Sequence, residues 1–341
     1  MHMADALISP AVGGAMWAVS AGLIGYCSKK VKEDLDEQKV PLMGVMGAFI
    51  FAAQMINFTI PATGSSGHLG GGLILAILLG PYAAFLVISS VLVVQALFFA
   101  DGGLLALGCN IFNLGFFPAF VAYPLIYKKI VKDSASPGRI LTGSLLAAII
   151  GLQLGAFGVV LETLCSGITS LPFTTFVALM QPIHLGIGIV EGLVTAAVVS
   201  FVWKANPEIL DLKASTAPSP IMHARQVAIV LLVAAAFTGG FVSWFASEHP
   251  DGLEWAIEKV TGKEELENAY NIQDALAQLQ EKSAFLPDYS LKVSEAAAAQ
   301  PGQDQDPRLG TSVSGIVGGF FTLCLAVLVG FALKKRSAGS W

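Results

Sequence analysis

Apolar residues run in blocks of about twenty along the 341-residue chain, separated by short polar stretches. A membrane-crossing helix needs ~17–25 predominantly apolar residues, and blocks of that kind lie at residues 8–27, 41–60, 104–127, 140–164, 182–203, 227–244 and 313–333. The run 69–99 is too long for one helix and short for two. Gly80-Pro81 divides it, which predicts a short helix over 69–79 and a fuller one over 81–99. The pattern predicts an all-α polytopic membrane bundle of nine segments. Residues 247–310 break the pattern as one long hydrophilic stretch between the last two spans. Inside it, Asp251-Gly-Leu-Glu254 has capping-box spacing, predicting a short helix to about Val260. Residues 300–307, rich in Gln, Asp and Pro, read as a flexible return to the membrane.

Composition agrees: 55% of residues are hydrophobic and 13% charged, with a mean hydropathy of +0.70. A soluble domain carries ~25% charged residues, so this chain cannot clothe a soluble surface. The formal charge of −5 matters less than where the charges fall. Lys29, Lys30, Lys32 and Lys39, then Lys128, Lys129, Lys132 and Arg139, then Lys204, Lys213 and Arg225, and finally Lys334, Lys335 and Arg336 mark cytoplasmic segments; they are 14 of the 19 basic residues. The rest (Lys259, Lys263, Lys282, Lys292, Arg308) share the hydrophilic stretch with 13 acids, and long translocated segments escape the charge rule. The nine segments then alternate without conflict, N-terminus outside and C-terminus cytoplasmic. The first span has no basic n-region, so it is expected to stay attached with Met1 outside.

A linker over 206–225, with Pro207, Pro218 and Pro220, divides a seven-segment unit (1–205) from a two-span unit (226–341) that carries the outer domain 247–310. There is no internal repeat, which weighs against transporters built from inverted repeats. No basic patch exists, so nucleic-acid binding is excluded. Cys27, Cys109, Cys165 and Cys324 have no CxxC spacing and read as packing residues.

The chain opens Met1-His2-Met3. A free terminal amine and the His2 amide nitrogen close a five-membered ring on a metal; the same amide and His2 Nδ1 close a six-membered one. Three coplanar nitrogens suit nickel(II) or copper(II), and one more imidazole completes the square. A second-position histidine means little alone. Its context is Gly64-Ser65-Ser66-Gly-His68-Leu-Gly-Gly-Gly72, which the topology places on the same side. Glycine lets backbone approach closely, and irregular backbone near membrane depth persists only where protein buries it or it lines a cavity. A phosphate cradle is the rival reading, but no GK[ST] follows. Asn57, Asp101, Asn110 and Asn113, near outer span ends, could support the loop or satisfy one another. His184 and Glu191 share a helix face and read as buried polar groups engaged with the loop or a neighbouring helix, with a metal path as the alternative. Glu162 reads as interfacial, His223 and His249 as solvated. Small residues at Ala11, Ala15, Ala18, Gly22 and Gly25 permit close helix approach, inside the bundle or against a partner.

The opening Met1-His2-Met3-Ala-Asp5-Ala-Leu-Ile-Ser-Pro10, the stretch Gln54-Met-Ile-Asn57-Phe-Thr-Ile-Pro61 leading into Gly64–Gly72, Asp101-Gly-Gly-Leu-Leu-Ala-Leu-Gly108 with Asn110, and Gln181-Pro-Ile-His184-Leu-Gly-Ile-Gly-Ile-Val-Glu191 resemble the CbiM/NikM family. Those are substrate-binding S components of energy-coupling-factor importers for cobalt and nickel. The resemblance covers about residues 1–205; the rest, with Pro250-Asp-Gly-Leu-Glu254, resembles the small CbiN/NikN subunit fused behind it. It implies seven helices in the first unit, metal ligation by Met1, His2 and His68, and work beside a membrane coupling (T) component and two cytoplasmic ATPases. The cargo is Ni(2+) or Co(2+), with no cofactor. Planar nitrogen ligation puts nickel slightly ahead, although residues 3–7 match the commonest opening of neither branch. No Walker A motif occurs, so energy must come from partners. A membrane metalloenzyme is disfavoured because HExxH is absent and a saturated site leaves no open position. A ligand-free scaffold is the remaining alternative.

Overall fold

The computed structural model describes residues 2–34, 39–131, 135–210, 220–263, 266–291 and 307–334. After a single 3-10 turn at Asp5–Leu7, the chain forms α1 (Pro10–Asp34), α2 (Lys39–Gln54), β1 (Phe58–Ile60), β2 (Ser65–Gly67) and α3 (Gly72–Leu79). There follow α4 (Pro81–Phe99), α5 (Leu107–Val131), α6 (Pro137–Ser166), α7 (Phe173–Ala205) and α8 (Ala224–Gly240). Two helices of the hydrophilic stretch, α9 (Gly252–Thr261) and α10 (Asn271–Ser283), precede α11 (Pro307–Leu333). Among the described residues six helices are long and apolar enough to cross a membrane, and α2 and α8 are shorter apolar helices. This is an all-α, multi-pass membrane protein.

The half-length helix lies at the centre. All of α3 is buried; at ~1.5 Å per residue it is far too short to span ~30 Å of hydrocarbon. Gly72 starts it against the Leu114 carbonyl, where a Cβ would collide. That part of α5, Phe112–Tyr127, is wound in wide π turns and contains Pro118 and Pro124, whose missing N–H groups make tight α winding costly. α6 and α7 form the most extensive helix pair. Their axes approach where Gly188 and Gly192 face the backbone of Ile149 and Leu145, with no room for a side chain. α11 packs on α2, with Gly318 against Phe51, and meets α8 backbone to backbone at Gly239 and Gly315.

Several expectations need correction. The second span ends at Gln54, not residue 60: Pro61 cannot continue a helix, Ala62 (φ +65°) and Gly64 (φ +79°) turn the chain, and Phe58↔Gly67, Thr59↔Ser66 and Ile60↔Ser65 pair as an antiparallel hairpin. α7 starts at Phe173 and passes through Pro182, with side chains bonding around the break: His184 Nδ1 to Met180 O (2.8 Å) and Gln153 Nε2 to Gln181 O (2.7 Å). Glu162 is buried in the bundle, accepting Asn113 Nδ2 at 2.7 Å, so neither group supports the glycine loop. Cys165 is exposed, unlike buried Cys27 and Cys109. The small-residue stripe of α1 faces outward, with nothing within 4 Å of a Cβ at Gly22 or Gly25.

Candidate metal centre

The N-terminal segment is threaded into the protein rather than left at its surface. Met3 is fully buried. Asn110 clasps its peptide from both sides, accepting Met3 N–H at 2.8 Å through Oδ1 and donating Nδ2 to Met3 O at 3.3 Å. Gly103 N–H also donates to Met3 O, at 2.9 Å, and Asp5 Oδ1 accepts the Ala106 amide at 2.9 Å. From the outer domain, Gln273 Nε2 donates to Asp5 O (2.7 Å) and Ile8 O (3.0 Å). These bonds fix where His2 sits.

His68 follows β2. Its loop is held two residues on, where Gly70 N–H donates to Glu191 Oε2 at 2.7 Å and Gly70 O accepts Gln54 Nε2 at 2.9 Å. Gly71, at φ +77°, packs on Ile50 where a Cβ would clash, so glycine is required there twice over. On the other side of His68, Ser66 N–H bonds Pro250 O (2.8 Å) and Ser66 Oγ bonds His249 O (2.8 Å), docking the start of α9 on the hairpin. The capping box read at Asp251 and Glu254 is formed.

The two histidines meet. Their rings stack with centroids 4.8 Å apart and planes 8° from parallel. His68 is buried, and its Nδ1 donates to Leu69 O at 3.0 Å, which leaves the lone pair on Nε2. Burial above all pushes the His68 imidazole down to about 3, so it is neutral at ordinary pH. His2 Nδ1 lies 2.9 Å from Asp101 Oδ1, while its Nε2 is buried without a hydrogen-bond partner. Burial works to raise Asp101, but His2 and the Tyr289 hydroxyl outweigh it and hold the carboxyl well below the usual carboxylate range. Both histidines line a cavity of about 490 Å³, with Asp101, Asp251, Glu254 and Tyr289 on its other walls.

The remaining predicted residues are distributed as follows. Asn57 O accepts the Ser247 amide at 2.7 Å, so its backbone, not its side chain, ties the hairpin to the outer unit. Ser65 Oγ pairs with Thr63 within the turn, at 2.8 Å. His184 stays on its own helix and does not reach Glu191; its Nε2 is buried and unpartnered. Met1 lies outside the described residues. Tyr289, Gln273 and Gln280 escaped the sequence reading, and no local pattern marks them; Gln54 opens one of the motifs that carry the family resemblance, which assigns it no role. Among the described residues no group of three or more His, Cys, Asp or Glu side chains converges as a metal site. The donors that the described residues bring together here are the two imidazoles. Chelation through His2 Nδ1 and its bond to Asp101 exclude one another, because that nitrogen has a single in-plane position to offer.

Comparisons with known proteins identify the family. Residues 2–209 match the family CbiM, described as the cobalt uptake substrate-specific transmembrane region, and residues 225–335 match the PDGLE domain. A protein of Archaeoglobus fulgidus named as a fused nickel transport protein, NikMN, is 33% identical over 98% of both chains. The cobalt transport protein CbiM of Geobacter sulfurreducens is 29% identical over 68% of each. A crystal structure of a truncated transition-metal transporter superposes with a TM-score of 0.53 at 31% identity, covering 59% of this chain and 98% of that one. This chain belongs to the CbiM family and carries a PDGLE domain behind it.

Proposed function

We propose that this family member captures nickel or cobalt from outside the cell and delivers it across the membrane, with nickel slightly favoured. The ion is held by four nitrogens: the Met1 amine, the His2 amide, His2 Nδ1 and His68 Nε2. One observation carries the reading: His2 and His68, from separate segments, are brought ring to ring on the wall of one cavity, each on a backbone pinned by several hydrogen bonds. His68 is neutral and turns its lone-pair nitrogen away from Leu69, as a metal-binding imidazole must. Asn110 and Glu191 act behind them, holding Met3 and Gly70.

The chain is a transport component and not an enzyme. By the family resemblance it works with a membrane T component and two cytoplasmic ATPases, and the exposed small-residue face of α1 suits close helix contact with such a partner. The family description and the Geobacter relative support cobalt as the alternative cargo.

The test is metal content by mass spectrometry of the full chain with its native start, after exposure to equal nickel and cobalt, beside His68→Ala. About one ion per chain, lost in the variant, is expected. Nickel in that position supports nickel uptake and cobalt moves the chain to cobalt supply. No metal in either sample overturns the site and leaves the scaffold reading.

A further inference from the structure

Tyr289, from the hydrophilic stretch between the last two spans, lines the cavity shared by His2 and His68. Tyr289 donates its hydroxyl to Asp101 Oδ2 at 2.5 Å, and Asp101 Oδ1 stands 2.9 Å from His2 Nδ1. The tyrosine ring stacks on Phe99 (centroids 5.0 Å, 20°) and meets Phe51 edge-on at 6.1 Å. Gln280 Nε2 ties the same outer unit to Gly102 O at 2.6 Å, one residue past Asp101. Both backbones that make the contact are bent against preference. Asp288 (φ +48°), Tyr289 (φ +56°) and Ala100 (φ +57°) all occupy the left-handed region despite carrying side chains. Such residues persist only where their surroundings over-determine them. Ala100 is the left-handed cap that ends α4, with Asp101 N–H returning to Gln95 O at 3.2 Å, whereas Asp288 and Tyr289 sit within the contact itself.

The His2 ring held in this way is not disposed to chelate. In a planar site built on the terminal amine and the His2 amide, the six-membered ring keeps the His2 imidazole near the metal plane. His68 enters that plane at a right angle to Nδ1. Rings so placed sit side by side, whereas here they lie face to face, 8° from parallel. Loading therefore requires that Asp101 give up Nδ1 and that the two rings unstack.

We propose that Tyr289 is a positioning residue for metal capture: through its bond to Asp101 the outer unit keeps that carboxylate on His2 Nδ1 and withholds the imidazole from the ion until the latch opens. The proposal rests on the four-nitrogen reading above. Asp101 competes with the metal for one nitrogen, and Tyr289 aims the competitor. The latch acts on the unloaded site, so it slows loading and leaves the release step alone.

The test uses the full chain with its native start in lipid nanodiscs, mixed rapidly with nickel chloride and followed by the absorption of nitrogen-bound nickel. Tyr289→Phe keeps the ring and removes the hydroxyl. It is expected to load about tenfold faster, the scale of losing one hydrogen bond to a charged group, with dissociation within about twofold of wild type. Asp101→Ala is expected to show the same acceleration, and adding Tyr289→Phe to it no more, since the tyrosine acts only through the aspartate. Unfolding temperatures are taken alongside; a purely structural role would lower them without speeding loading. Unchanged or slower loading in Tyr289→Phe, or additive effects in the double variant, would overturn the latch while the metal site stands. A wild-type chain that takes up neither nickel nor cobalt removes the site and the latch with it.

Discussion

The Glu191 carboxylate, deep in the α6–α7 pair, accepts the amide of Gly70 at 2.7 Å and so holds the loop that presents His68. An acid in a membrane helix is costly and needs a purpose; here it is a fastener for irregular backbone. Glu191→Gln preserves an acceptor, so nickel affinity should stay within about threefold. Glu191→Ala leaves the Gly70 N–H buried and unpaired, a penalty of ~1–3 kcal/mol, and nickel affinity should drop about tenfold or more. Isothermal titration of both variants decides it; equal losses would mean the charge, not the bond, is what matters.

Gly103 offers a test of the N-terminal cradle. A Cβ there would land on the Asp5 carboxylate and crowd the Asp5 amide. Gly103→Ala should displace residues 2–6 and strip nickel binding while the bundle survives, because the clash is with a segment and not with a helix. The check is metal content set against the unfolding temperature. Retained metal would show that the N-terminal segment can shift without cost to the site.

The proposed four-nitrogen chelate demands a free terminal amine and a deprotonated amide. One extra residue before Met1 should therefore abolish binding, although it alters no described side chain. For the same reason metal binding releases protons, and affinity should fall steeply between about pH 8 and pH 5. Titrations at both limits are the measurement, and a flat profile would remove the amide from the ligand set.

His68 adds a separate acid dependence, this time of stability. Its pKa is lowered by burial from 6.5 to about 3. The unfolded chain therefore takes up a proton below 6.5 that the folded chain refuses until about 3. The stabilising contribution is whole above 6.5 and is lost progressively as the pH falls toward 3. Unfolding temperatures across that window should decline less steeply in His68→Gln than in wild type. Parallel curves would show that the folded imidazole already carries its proton.

Much of this protein is written in local pattern. Block length and the placement of lysine and arginine mark the spans, because burial in hydrocarbon acts on every turn of a helix. The two histidines of the proposed chelate stood out for a similar reason: amine, amide and imidazole could close their rings within two residues, and a histidine among glycines is conspicuous wherever it falls. The hairpin at Phe58–Ile60 was not, since an apolar tail on a helical run looks like more helix until Pro61 and two positive-φ residues turn it. Gln54, Gln273 and Gln280 look like ordinary polar residues in sequence; only the packed fold aims their amides at Gly70, Asp5 and Gly102. Tyr289 and Asp101 lie 188 positions apart and share no period. Their meeting is a product of how the two-helix unit packs on α2, and a hydrogen bond depends on where atoms finally lie. The sequence by itself determined the membrane bundle and the two histidines proposed as donors; the tertiary structure alone decided which side chains hold the backbone around them and which lie against their rings.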